Sequence, residues 1–135
     1  MENRSIEDGC LCGEVHYRAT KAPTSSHICH CENCQHASAA PFAAWLSFPA
    51  GGFAFIKGQL VRYRYAGEDS TWAERAFCAR CGTQLTYTSE DHSDTFDVTT
   101  CSLDAPEAFP PDSHEWTAEK LSWIELWTLP NVKEI

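Results

Sequence analysis

A chain of 135 residues, 43% of them hydrophobic, has the material for one small domain with its own core. It contains no apolar run of the roughly 18 or more residues that a membrane-spanning helix needs. Its net charge of −9 is lopsided: no Lys or Arg lies between Cys81 and Glu119, a stretch that holds nine acidic residues from Glu90 to Glu119. Such a surface repels nucleic-acid phosphates and anionic lipids, so neither is an expected partner.

In chain order the pattern is one of short strands and turns. Val15, Tyr17 and Ala19 alternate with Glu14, His16 and Arg18, the period of a half-buried strand. One short helix is allowed after Cys31, over Glu32–Ser38, where neither Gly nor Pro intervenes. The aromatic-rich segments 42–48 and 53–56 are separated by Pro49-Ala50-Gly51-Gly52, a turn composition, and Lys57-Gly58 makes another turn. Val61, Tyr63 and Tyr65 alternate with Arg62 and Arg64 in the clearest strand of the chain; further strands are expected at 71–77, 84–88, 95–103 and 121–126. No segment keeps a 3.6-residue apolar period over three turns. The expectation is a single all-β domain over residues 1–135, with an α+β fold built on one real helix as the alternative.

Eight cysteines carry the chemistry. The N-terminal residues lack the basic-then-apolar order of a signal peptide, so the reducing cytoplasm is the expected compartment. There, clustered cysteines read as metal ligands rather than disulfides. Cys10-Leu-Cys12-Gly13 and Cys78-Ala-Arg-Cys81-Gly82 are two pairs, each followed by a Gly that tolerates the left-handed backbone of a tight turn. Together their four sulfurs fit a closed, structural zinc site that ties the first hairpin to the middle of the chain. Cys29-His30-Cys31-Glu32-Asn33-Cys34 gathers three more thiols. Three protein ligands and one open position is the pattern of a catalytic zinc. The alternatives are a fourth ligand from Cys101, His27, His30 or His36, or no metal and thiol redox chemistry. The expectation is thus two zinc ions per chain.

The three cysteine motifs resemble those of the glutathione-dependent formaldehyde-activating family, which includes the centromere protein V group. The resemblance rests on Gly9-Cys10-Leu-Cys12-Gly13-Glu-Val15-His-Tyr17, on the Cys29–Cys34 cluster, and on Phe77-Cys78-Ala-Arg-Cys81-Gly82-Thr83-Gln-Leu85. Ser102-Leu103-Asp104-Ala105-Pro106, with Pro110 and His114, is similar to the family's C-terminal signature. The resemblance implies the β-rich fold shared with zinc-containing methionine sulfoxide reductases and a guanine-exchange chaperone of Rab proteins. It implies structural zinc on Cys10, Cys12, Cys78 and Cys81 and catalytic zinc on Cys29, Cys31 and Cys34. It also implies carbon–sulfur lyase chemistry, with a thiol (glutathione in the family's name) and formaldehyde interconverting with the S-hydroxymethyl adduct. The chain departs from the family pattern at Cys101, where a small inert residue is usual: it is either a small buried hydrophobe, a fourth zinc ligand, or a reactive thiol.

For proton transfer the candidates beside the cluster are His36 and His30, which titrate near neutrality. A thiol bearing carboxylates calls for cations, and Arg62 and Arg64 are the first candidates, with Arg75 and Arg80 further along. Two other functions compete: a non-catalytic zinc-stapled module that binds a protein partner, and a thiol redox enzyme using Cys101. Composition leaves the oligomeric state open.

Overall fold

The structure, a computed structural model, describes residues 5–67 and 70–125. Within them lie strands β1 (Ile6–Gly9), β2 (His16–Ala19) and β3 (Ser25–Cys29), helix α1 (Glu32–Ser38), then β4 (Ala43–Pro49), β5 (Phe53–Lys57) and β6 (Leu60–Ala66). The series closes with β7 (Trp72–Cys78), β8 (Gln84–Ser89), β9 (Thr95–Thr99) and β10 (Ser113–Glu115). A small sheet runs β1-β2-β5, and a larger one runs β10-β3-β4-β9-β8-β7-β6. All described pairings are antiparallel except β10 with β3. The chain is therefore β-rich, as expected, with α1 as the single α-helix among the described residues. Among the described residues no helix is long and apolar enough to cross a membrane.

Strand alternation gives the larger sheet two unlike faces. On one, Leu46 and Phe48 of β4 lie in register with Val98 and Phe96 of β9. Leu46, Phe48, Val98 and Leu85 are buried against Tyr17, Ala19 and Phe53 of the small sheet. This is the main core, and each such side chain contributes about 1.5–3 kcal/mol by leaving water. On the other face Ser47 lies opposite Asp97, Asp97 opposite Tyr87, and Tyr87 opposite Arg75, a register shift at Ala76/Phe77 letting Leu85 join the core although it is two residues from Tyr87. The sheet thus carries an in-register polar and aromatic row on the face away from the core.

Most expected strands are present within a residue or two of their predicted bounds. Two expectations are corrected. The strand expected over 95–103 ends at Thr99, because Thr100–Ser102 turns as a 3-10 helix in which Leu103 N–H donates to the Thr100 carbonyl at 3.1 Å. Residues 121–125 form no strand, and a turn brings Ile124 N–H to the Leu121 carbonyl; Leu126 lies outside the described residues. The alternating segment is present as β6, an edge strand with five of its seven residues exposed.

Candidate metal centres and an adjoining cavity

The first cysteine cluster sits where two turns meet. Cys10 and Cys12 lie in the β1–β2 turn, Cys78 ends β7, and Cys81 lies in the β7–β8 turn. Their four sulfurs fall within 4.8 Å of one another. The turns close through Gly13 N–H to the Cys10 carbonyl at 3.1 Å and Gly82 N–H to the Cys78 carbonyl at 3.0 Å. Gly13 and Gly82 take φ of +79° and +78°, the left-handed backbone that a side chain would strain. Backbone amides point at the sulfurs: Val15 N–H donates to Cys10 Sγ at 3.2 Å, and Arg80 N–H to Cys78 Sγ at 3.3 Å. Hydrogen bonds from Thr83 bring the Cys81 thiol down to about 5. Four convergent sulfurs served by amide donors are a set that suits a thiophilic metal ion.

The second cluster is assembled by the junction of β3 and α1. Cys29 is the last residue of β3, Cys31 caps α1 by accepting Cys34 N–H at 3.3 Å, and Cys34 lies in the helix's first turn. A seven-residue helix is marginal alone; here the Cys31 cap and a hydrogen bond from Gln35 Nε2 to the His30 carbonyl at 2.8 Å hold it. The three sulfurs lie within 4.8 Å of one another, and no other His, Cys, Asp or Glu among the described residues joins them. Cys101 is exposed and belongs to neither cluster. It is therefore neither the buried hydrophobe nor the fourth ligand that the sequence left open.

Beside this cluster is a buried cation. Arg75 on β7 is 7% exposed, with Nη2 at 3.6 Å from Cys34 Sγ and Nε donating to the Tyr65 hydroxyl at 2.8 Å. Its guanidinium lies 4.8 Å from the centre of the Tyr87 ring, 5.8 Å from Tyr65 and 5.9 Å from Trp45. Among the described ion pairs, none gives Arg75 a carboxylate. A buried charge needs a partner, and Cys34 is the anion within reach. Hydrogen bonds from Cys29 and Cys31, followed by Arg75, hold the Cys34 thiol down at about 2, while the same sulfur contacts push Cys29 up. Of the three sulfurs, Cys34 is the one the guanidinium reaches.

The three sulfurs open onto a cavity of about 470 Å³. Trp45, Tyr65, Tyr87, Arg75, His27, Asp97 and Glu115 line it from the larger sheet, and Glu119 from the turn after β10. His27, itself buried, hydrogen-bonds Ser25 Oγ through Nδ1 at 2.9 Å and faces Glu115 Oε1 through Nε2 at 3.6 Å. Asp97 accepts from Ser47 Oγ at 2.5 Å, and burial raises its pKa.

The structure does not bring the other expected site residues here. His36 is exposed on α1, and His30 is buried with Nε2 3.0 Å from His114 Nδ1; neither lines the cavity. Burial, then the charge of His114, lowers the His30 pKa. Arg62 and Arg64 occupy the side of β6 opposite Tyr65: Arg62 pairs with Glu74 at 3.1 Å and Arg64 lies over Trp72. Strand period decides this, because Tyr65 faces the cavity and its even-numbered neighbours cannot. The cation that reaches the cluster is Arg75, and its sequence neighbours gave no sign of it.

A family model described as glutathione-dependent formaldehyde-activating enzyme matches residues 5–119, which include both clusters and β10. The chain belongs to that family. An uncharacterised lyase of Schizosaccharomyces pombe is 28% identical, over 76% of this chain and 82% of that protein. A crystal structure of a Rhodobacter sphaeroides protein superposes with a TM-score of 0.63 at 17% identity, covering 81% of this chain and 99% of that one. That likeness shows a shared fold.

Proposed function

We propose that this family member is a zinc-dependent carbon–sulfur lyase that interconverts a thiol plus formaldehyde with the S-hydroxymethyl thiol. Cys10, Cys12, Cys78 and Cys81 would hold a structural zinc, and Cys29, Cys31 and Cys34 a second one. The observation that carries the reading is the three-sulfur cluster at the wall of a cavity, with no fourth ligand supplied among the described residues. Zinc bound there supplies stabilisation of a thiolate near neutral pH.

The chain's own groups do the rest. The aromatic wall of Trp45, Tyr65 and Tyr87 excludes water from one side of the cavity and holds Arg75 against the sulfurs. In the synthetic direction the sulfur–hydrogen bond of the thiol breaks, a sulfur–carbon bond forms to formaldehyde, and the carbonyl oxygen takes up a proton. Asp97, which burial shifts toward its protonated form, and His27 are the cavity groups that can hold that proton. His36 and His30, the histidines nearest the cluster in sequence, lie outside the cavity and fit this role less well.

The test pairs metal analysis with exchange spectroscopy. Two zincs per chain are expected, and NMR with carbon-13 formaldehyde and a thiol should show adduct exchange faster than in buffer. Cys31→Ser should abolish the acceleration. An unchanged exchange rate with fully zinc-loaded protein would overturn the reading.

A further inference from the structure

We propose that the thiol this cavity admits carries a positively charged amino group a few bonds from its sulfur, an aminothiol, in preference to a thiol rich in carboxylates. The inference rests on the reading above that a thiol reaches Cys29, Cys31 and Cys34, and it names the class of that thiol.

The first argument concerns the one cation. Arg75 is the single Lys or Arg among the described residues that line the cavity. Its Nη2 is directed at Cys34 Sγ and its Nε at Tyr65, and it is nearly inaccessible. The charge is therefore matched by the cysteine cluster. A carboxylate entering the cavity meets no second Lys or Arg; the other basic side chains lining it are His27, which faces Glu115, and His92.

The remaining walls have the opposite sign. Asp91 follows β8, Glu115 ends β10, and Glu119 lies in the turn after it, so carboxylates reach the cavity from two separated parts of the larger sheet. Glu119 Oε1 accepts Glu32 N–H at 2.8 Å, a backbone contact that leaves its charge in place, and the Glu115 side chain is 52% exposed. Trp116 lines the same cavity and is itself 57% exposed. Its exposed ring offers an aromatic face, which attracts an ammonium group and gives a carboxylate nothing, whereas the Trp45, Tyr65 and Tyr87 rings already carry the Arg75 guanidinium. The absence of Lys and Arg between Cys81 and Glu119 extends this negative field beyond the cavity.

Glutathione presents two carboxylates against one ammonium, so its net charge opposes this field. A short aminothiol presents its ammonium alone. The size of the cavity does not separate the two; the charge of its walls does.

The test uses the full-length chain loaded with cobalt(II), whose sulfur-to-metal absorption reports a thiolate joining the cluster without any turnover. Cysteamine, 2-mercaptoethanol, 3-mercaptopropionate and glutathione are titrated at low ionic strength, and each affinity is corrected for the thiol's own pKa. Cysteamine is expected to bind about 10-fold more tightly than 2-mercaptoethanol, the size of one good cation–π or ion-pair contact. The two carboxylate-bearing thiols should bind more weakly still. Glu115→Gln with Glu119→Gln should reduce the cysteamine preference several-fold, and salt should reduce it in the unmodified chain. Equal corrected affinities, or glutathione binding best, would overturn the aminothiol assignment and leave the thiol-binding reading standing. No spectral change with any thiol would overturn both.

Discussion

The two cysteine clusters use the same ligand atom toward different ends, and their surroundings show why. The four-sulfur cluster joins turns that are far apart in sequence, Cys10–Cys12 and Cys78–Cys81, and has no residue lining the described cavity. The three-sulfur cluster is local, within one strand–helix junction, and is set in a cavity wall beside a buried guanidinium. The first arrangement restrains the fold; the second restrains little and faces a space that can hold a ligand. Cys78→Ser should break this comparison at its strong end. Apparent zinc affinities at structural sites are about 10–16 kcal/mol, more than most domains have as net stability. The variant is expected to lose cooperative thermal unfolding, followed by circular dichroism. Cys29→Ser should bind one zinc fewer and still melt cooperatively. If both variants unfold alike, the distinction between the clusters is wrong.

The next largest effect tests whether Arg75 belongs to the second cluster. Arg75→Met keeps much of the apolar stem between Trp45, Tyr65 and Tyr87 but removes the charge beside Cys34. Metal affinity at the three-sulfur cluster should fall about 10–100-fold, as for other groups that support metal ligands, with the four-sulfur cluster unaffected. Competition with a chromogenic chelator resolves the two sites. Arg75→Lys should recover part of the loss, since the point charge returns without the planar fork and its ring stacking.

The members of both clusters were legible in the sequence because each cluster is written as spacing: two short pairs ending in Gly, and three cysteines in six positions. Strands with apolar cores, such as β4 and β8, were legible from composition. β3 was not, because its cavity face consists of Ser25, His27 and Cys29, which break the apolar pattern while serving the site. β10 escaped for a related reason: Ser113-His114-Glu115 has no apolar residue, and its pairing with β3 comes from a contact more than eighty positions away. Arg75 shows the limit most clearly. Its alternation with neighbours on β7 matches that of Arg62 and Arg64 on β6, and only the register across β6, β7 and β8 tells which arginine faces the sulfurs.

The smallest expected effect concerns how the cavity's polar row trades stability for function. Asp97 is opposite Ser47 on one side and Tyr87 on the other, and burial raises its pKa above the ordinary carboxyl value of 3.8. A carboxyl whose folded pKa is raised binds its proton more tightly in the native state than in the unfolded chain. Its contribution is therefore fully present below 3.8 and is lost as pH rises through the folded value. Deprotonating Asp97, buried and near Glu115 and Cys34, therefore costs stability, and that cost grows as pH rises. Asp97→Asn should raise the neutral-pH Tm by a few degrees at most, since about 1 kcal/mol moves a domain of this size by roughly 3–5 °C. The gain should shrink as pH falls toward 4. The same substitution should slow adduct exchange if Asp97 holds the transferred proton. A variant that is more stable but equally active would keep the electrostatic account of this row and assign proton transfer to His27.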